Sequence, residues 1–425
     1  MKTKYFQLIF VWFSVTICFS QINFDENQVP DYILPEILLT QNGKKIETSS
    51  QWDSIRRPEI LDMFKNHVYG DVCDDDIKIK FETTDVDDYA LCGKAIRKNV
   101  AIHFINGTDT LTANLLIYIP SKHPDGPAPL FLGMNFFGNH TIHYDLSIPI
   151  SDSYVRNNPG FNIFNNKGTE ESRGVRESRW PVERIIDRGY GIATIYYGDI
   201  DPDFDDGFKN GLYKLTANCA SKNPDKRSSI SAWAYALSRA MDYFETDDDI
   251  NQSQIIVFGH SRLGKVALWA GAVDKRFAIV ISNDSGCGGA ALSRRKFGET
   301  VKQINESFPH WFCKAFKDFN DKEDSLPLDQ HMLIGLIAPR PVYVASAEND
   351  KWADPKGEYL SLFYSGPVYR LYGLQTFEQD SLPLINKPLW IGNMGYHIRS
   401  GDHDITRFDW ERYLDFADNH FNKIK

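Results

Sequence analysis

Apolar positions follow two rhythms along this chain. Short β-branched runs such as residues 255–258 read as buried strands, and longer stretches with apolar residues three or four apart read as helices. Early on, the pattern predicts strands at 77–82, 95–104 and 111–119. An Asp-rich turn and Asn106-Gly107 separate them, which describes an antiparallel meander. Further strands are expected at 127–137, 189–197, 276–282, 339–347 and 389–394. Helical patterns alternate with them, among them one opening near Trp52 and running to Tyr69, and one at 408–421. Residues 228–246 place Trp233, Leu237, Ala240, Met241 and Phe244 on a single face. Strands alternating with helices imply a mostly parallel sheet covered on both faces, hence an α/β fold.

Two stretches lack either rhythm. Residues 141–186 are rich in turn residues and end in Arg173, Arg176, Arg179 and Trp180; a segment this long without a period reads as an insertion rimming a site. The acidic run Asp199, Asp201, Asp203, Asp205, Asp206 lacks the spaced glycine and closing glutamate of a calcium loop and is expected to be a solvated loop. His140 and His143 are expected to be loop residues rather than ligands.

Residue 261 is where candidate chemistry begins. Gly259-His260-Ser261 follows the apolar strand at 255–258, and Leu263, Ala267, Leu268 and Ala270 start a helical stripe directly after it. A serine on such a strand-to-helix turn projects its hydroxyl and lies beside the first helical N–H groups, which suits a nucleophile. Glycine follows at 264, with Leu263 where the common form of the motif has glycine, so this turn departs from that form. The loop 133–140, with Gly133 and Gly138, lies where a second oxyanion donor would come from; an ordinary connecting loop fits it equally.

In an open parallel sheet, sites form beyond the carboxyl ends of the strands. Ser261, Asp284, Asp350 and His403 all stand at such ends, in the order Ser, Asp, His that α/β-hydrolases use. His403, in a glycine-bearing loop before the closing helix, is the preferred general base over His397, which lies nearer the strand. Either Asp284 or Asp350 could orient the imidazole, with Glu348 and Asp354 as weaker alternatives.

The segments Gly259-His260-Ser261-Arg262-Leu263-Gly264-Lys265, Ser282-Asn283-Asp284-Ser285-Gly286-Cys287-Gly288-Gly289-Ala290, Ile337-Ala338-Pro339-Arg340-Pro341, Asp350-Lys351-Trp352-Ala353-Asp354-Pro355 and Tyr396-His397-Ile398-Arg399-Ser400-Gly401-Asp402-His403 resemble carbohydrate esterase family 15, the glucuronoyl esterases, in its bacterial form. The resemblance implies an α/β-hydrolase that cleaves esters joining 4-O-methyl-glucuronoyl units of xylan to lignin alcohols. It implies Ser261 as nucleophile, His403 as base and Arg262 as oxyanion stabiliser, with Lys265, Glu299 and Trp352 holding sugar hydroxyls. Fungal members carry cysteine before the serine and a glutamate after the next strand; His260 and Asp284 stand there instead. Asp350 is therefore expected to carry most of the acid role and Asp284 to assist.

Composition bounds the rest. The chain has 425 residues and 42% hydrophobic content, enough for one large domain over 21–425. A net charge of −10 without a basic run argues against nucleic acid. Lys2 and Lys4 before the apolar residues 5–19 predict a signal peptide over 1–20, hence a secreted or periplasmic protein with no membrane segment after cleavage. No organic cofactor or metal is expected, and the protein should be a monomer. Cys287 and Cys313 are a conceivable disulfide pair. Rival readings are an acetylxylan or other carbohydrate esterase on the same scaffold, and a carbohydrate-binding protein without catalysis.

Overall fold

The structure, a computed structural model, describes residues 22–123, 126–216 and 223–421. The expected signal peptide lies outside them. Ten strands form one sheet: β1 (Lys78–Tyr89), β2 (Ala95–Asn106), β3 (Asp109–Pro120), β4 (Ala128–Asn135), β5 (Gly191–Tyr196), β6 (Ile250–His260), β7 (Ile279–Asn283), β8 (Val342–Ala347), β9 (Leu389–Ile391) and β10 (Met394–Arg399). Their order is β1-β2-β3-β5-β4-β6-β7-β8-β10-β9. β1, β2 and β3 form the antiparallel meander, and β3 joins β5 antiparallel. From β5 through β4, β6, β7 and β8 to β10 every pairing is parallel. This is the α/β-hydrolase fold.

The longer helices are α1 (Arg57–His67), α2 (Ser229–Phe244), α3 (Arg262–Val273), α4 (Pro355–Leu371) and α5 (Arg407–His420). None among the described residues is long and apolar enough to cross a membrane. The central strands are apolar throughout because both faces of the sheet are covered. On β6, Ile255 and Val257 join a core with Trp233 of α2 and Trp269 of α3, while Ile256 and Phe258 join a second core with Trp410 and Tyr413 of α5. Ser228 caps α2 by accepting from Ser231 N, and Ser231 Oγ in turn accepts from Trp269 Nε1 at 3.0 Å, tying α2 to α3.

Three expectations need correction. The stretch 389–394 is not one strand: Gly392, at φ 55°, turns the chain, so β9 is an antiparallel edge strand and the last parallel strand is β10. His397 consequently lies within that strand and is buried. The acidic run is not a solvated loop, since Asp199 and Asp201 are buried and Asp203 keeps only 6% of its side chain exposed. Cys287 and Cys313 are both buried free thiols, whereas Cys73 is disulfide-bonded.

α3 sits so close to the sheet that a Cβ on Gly271 would lie 2.4 Å from Val280 Cγ2. Val280 is a buried β-branched residue in mid-sheet and has nowhere to turn. Gly271→Ala is therefore expected to lower stability by ~1 kcal/mol net, overpacking exceeding the gain in helix propensity. Urea unfolding checks it: an unchanged or higher midpoint would mean that the helix can ride off the sheet.

Candidate active site

The turn between β6 and α3 is held by close backbone approach. A Cβ on Gly259 would lie 1.9 Å from the Leu263 carbonyl oxygen, so only glycine fits beneath the first helical turn. Ser261 takes φ 59° and ψ −131°, a region a side-chain-bearing residue enters only when its surroundings force it. Its N–H donates to the Asn283 carbonyl at 2.8 Å, and its own carbonyl accepts from Gly264 N at 2.8 Å. The second close approach falls at Gly264, where a Cβ would lie 3.0 Å from Ser285 Cβ. Leu263 can therefore fill the place that glycine usually takes, pointing into the core instead.

His403 lies on the loop after β10, with 41% of its side chain exposed. Its Nδ1 is 2.5 Å from Asp350 Oδ2, and Asp350 is itself buried at the end of β8. That contact leaves Nε2 to exchange a proton. The ring lies 4.6 Å from that of His260, the residue before Ser261, so the serine turn and the histidine loop meet. Asp284 is close, offering an oxygen within 4.8 Å of Asp350 and His403 ligand atoms, but both of its oxygens are buried without a hydrogen-bond partner. Burial first, then the neighbouring carboxylates of Glu358, Asp350 and Asp409, push the Asp284 carboxyl well above the ordinary range. Arg399 approaches it only to 3.6 Å.

His397 does something different. Its Nε2 bonds Asp409 Oδ1 at 2.8 Å and its Nδ1 bonds the Tyr343 hydroxyl at 3.0 Å, both deep in the core. The weaker acid candidates are equally occupied or remote: Asp354 caps α4 through Gly357 N and pairs with Arg295, and the Glu348 side chain is exposed.

Arg262, the first residue of α3, pairs through Nη1 with Asp203 and lies 4.5 Å from the centroid of the Trp311 ring. Lys265, one turn on, is buried, and its Nζ donates to the Ser285 carbonyl. Burial lowers the Lys265 ammonium and raises the Glu299 carboxyl, with each charge opposing the other's shift. Gly298, at φ 62°, lets the chain lie against the Lys351 and Trp352 carbonyls, and Glu299 N donates to Trp352 O at 3.0 Å. Trp352 remains 40% exposed beside them. Ser261, His403, Asp350, Asp284 and Arg262 thus gather at one end of the sheet, with Lys265, Glu299 and Trp352 forming a contiguous polar group next to them.

Proteins of known family resemble this chain in sequence and fold. Residues 212–373 match a family model described as glucuronyl esterase, fungi. Carbohydrate esterase MZ0003, from an unidentified prokaryote, is 51% identical over 94% of this chain and 92% of its own length. The solved structure of a promiscuous CE15 esterase from the marine bacterial metagenome has 50% identity and a TM-score of 0.88, covering 94% of this chain and all of that one. A 4-O-methyl-glucuronoyl methylesterase of Wolfiporia cocos is 33% identical over 81% of this chain and 73% of its own length. The chain belongs to carbohydrate esterase family 15, the glucuronoyl esterases. It is a carboxylic ester hydrolase.

Sequence reasoning missed several residues that shape this esterase site. Asp203 looked like part of a solvated run, and His310 and Trp311, which bond it, carried no motif. Arg399 stood within a family-like segment without a role assigned to it, and Glu358 was unremarked. Glu358, on α4, accepts from Ser285 N at 2.7 Å and Gly286 N at 2.9 Å, pinning the turn that follows Asp284, and from Ser346 Oγ at 2.6 Å. A single buried acid in a helix gives no sequence signal of such a task.

Burial, which outweighs the hydrogen bonds from Ser346, Gly286 and Ser285, pushes the Glu358 carboxyl up to about 8 from an ordinary 4.5. Below pH 4.5 both folded and unfolded chains hold this proton. As pH rises toward 8 the unfolded chain gives it up first, so this contribution to stability is lost over that window. Glu358→Gln, which cannot titrate, is expected to flatten the fall in stability between pH 5 and pH 8 in urea unfolding. A slope identical to wild type would sink the assignment.

Proposed function

We propose that this esterase hydrolyses 4-O-methyl-glucuronoyl esters of xylan, releasing lignin-type alcohols, through an acyl-enzyme on Ser261. The observation that carries the reading is the 2.5 Å contact of Asp350 with Nδ1 of His403, whose ring lies against the residue before Ser261. With Nδ1 so held, Nε2 of His403 takes the Ser261 proton as Oγ attacks the ester carbonyl carbon. Negative charge gathers on the carbonyl oxygen, where the Arg262 guanidinium and the N-terminal N–H groups of α3 stabilise it. The carbon–oxygen bond to the alcohol then breaks, and the alcohol leaves with the proton from His403. Water, deprotonated by His403, attacks the acyl-serine and frees the uronic acid.

Lys265, Glu299 and Trp352 hold the sugar hydroxyls in this reading, the indole supplying an exposed apolar face, and the ammonium, held on the Ser285 carbonyl, and the carboxylate supplying two charged groups. The segment 141–186 walls the site, supported by the pairing of Arg179 with Asp404, the neighbour of His403. One domain over 21–425 carries the activity. The disulfide at Cys73 supports export to an oxidising compartment, in keeping with a signal peptide at 1–20. Substrate would then be met outside the cytoplasm.

Hydrolysis of benzyl glucuronate tests the roles. Ser261→Ala should abolish turnover, Asp350→Asn should lower kcat by roughly 10³–10⁴-fold, and Asp284→Asn should cost only about tenfold, the scale of a modest electrostatic contribution. If Asp350→Asn keeps its activity while Asp284→Asn loses it, the acid assignment reverses. Activity of the wild type on acetylated xylose but not on the glucuronate would overturn the substrate class.

A further inference from the structure

Asp203 stands in the loop after β5, far in sequence from every residue assigned a role above. Its carboxylate is enclosed by four donors. Oδ2 receives Arg262 Nη1 and the Tyr197 hydroxyl, the latter at 3.2 Å. Oδ1 lies 2.7 Å from Trp311 Nε1 and 3.1 Å from His310 Nε2. Burial by itself would raise this carboxyl, but the hydrogen bond from His310, the Arg262 charge and the bond from Trp311 outweigh it and hold it at about 2. The group is therefore a fixed anion across the working range of an esterase.

The guanidinium it holds is enclosed as well. Arg262 lies 4.5 Å from the Trp311 ring centroid, 5.4 Å from that of Phe308 and 5.8 Å from that of Phe136. An arginine side chain free in solution has many rotamers to lose, and an oxyanion stabiliser is effective only when it needs no reorganisation as charge develops. Here Nη1 is spent on Asp203 and the face on an aromatic surface, while Nε is buried without a hydrogen-bond partner. That fixes where the remaining N–H groups can point.

We propose that Asp203 is a positioning residue for the transition state of this esterase, acting through Arg262 by clamping its guanidinium against Trp311 beside Ser261. The proposal rests on the reading of Arg262 as the oxyanion stabiliser. Because the carboxylate also accepts from Tyr197, Trp311 and His310, its charge is shared over several donors and does not simply cancel that of Arg262. Trp311 has two tasks at once: its N–H anchors the carboxylate and its ring carries the cation.

A double-mutant cycle on benzyl glucuronate separates this from general packing. Asp203→Asn, nearly isosteric, is expected to lower kcat at least tenfold with KM within twofold, since an interaction made in the transition state is lost and not substrate binding. Trp311→Phe keeps an aromatic face, though a smaller one, and removes the anchoring N–H, and should lower kcat by about threefold on the same argument. Both effects should vanish in an Arg262→Ala background. Should Asp203→Asn not fold, Trp311→Phe and Asp203→Glu carry the same comparison. A kcat within twofold of wild type for Asp203→Asn, or an equal loss with and without Arg262, would overturn the proposal. If Arg262→Ala alone keeps full kcat, the oxyanion reading itself fails and Asp203 has nothing to position.

Discussion

The buried ion pair between Arg399 and Asp409 is what the rest of the site depends on. Asp409 Oδ2 accepts from Arg399 Nε at 2.9 Å and from the Thr406 N–H and hydroxyl, and Oδ1 bonds His397 at 2.8 Å. Burial would raise this carboxyl, but His397 and Arg399 outweigh it and hold it below its ordinary value. Arg399 spends its other donors on the carbonyls of Ser400, Asp402 and Asp404. One cation thus closes the loop that carries His403 and joins it to the start of α5. A buried charge left without partners is strongly destabilising, so the loop has little freedom to take another shape.

Around that pair the site sorts its acids by environment. Asp350 has a direct partner in His403, Asp409 is paired with Arg399, and Asp203 is enclosed by donors. Asp284 and Glu358 carry no cation at hydrogen-bond distance, and burial raises both. His260 is the basic counterpart: burial, the charge of His403 and that of Arg179 hold it well below its ordinary value, so it packs against His403 as a neutral ring. Its Nδ1 is fixed by Asn283 Oδ1 at 2.5 Å. This chain therefore presents, next to Ser261, a neutral ring tilted 39° against that of His403.

Close packing supplies the remaining constraint. Gly259, Gly264 and Gly271 each face a neighbour within 3.0 Å of where a Cβ would stand, so α3 is pressed onto β6 and β7 along its whole length. The strained backbone of Ser261 is the product of that pressure, and it is held because the turn is anchored on Asn283 of the next strand. Strand order decides which loops can meet there: β7, β8 and β10 lie in sequence beside β6, so the ends bearing Asp284, Asp350 and the His403 loop are neighbours of Ser261.

The alternation of strands and helices, the meander, the serine turn and the order Ser, Asp, His were legible in the chain alone, because these are local and periodicity or motif records them. It also narrowed the acid to two aspartates and the base to two histidines. Which of them meet became legible only in the fold, since a hydrogen bond between residues 350 and 403 leaves no local pattern. The same holds for the corrected features. Gly392 breaks an apolar run that reads as continuous, and Asp203 becomes buried because Arg262, His310 and Trp311 arrive from elsewhere in the chain. A charged residue is written identically whether water or a distant arginine will satisfy it, and folding alone makes that choice.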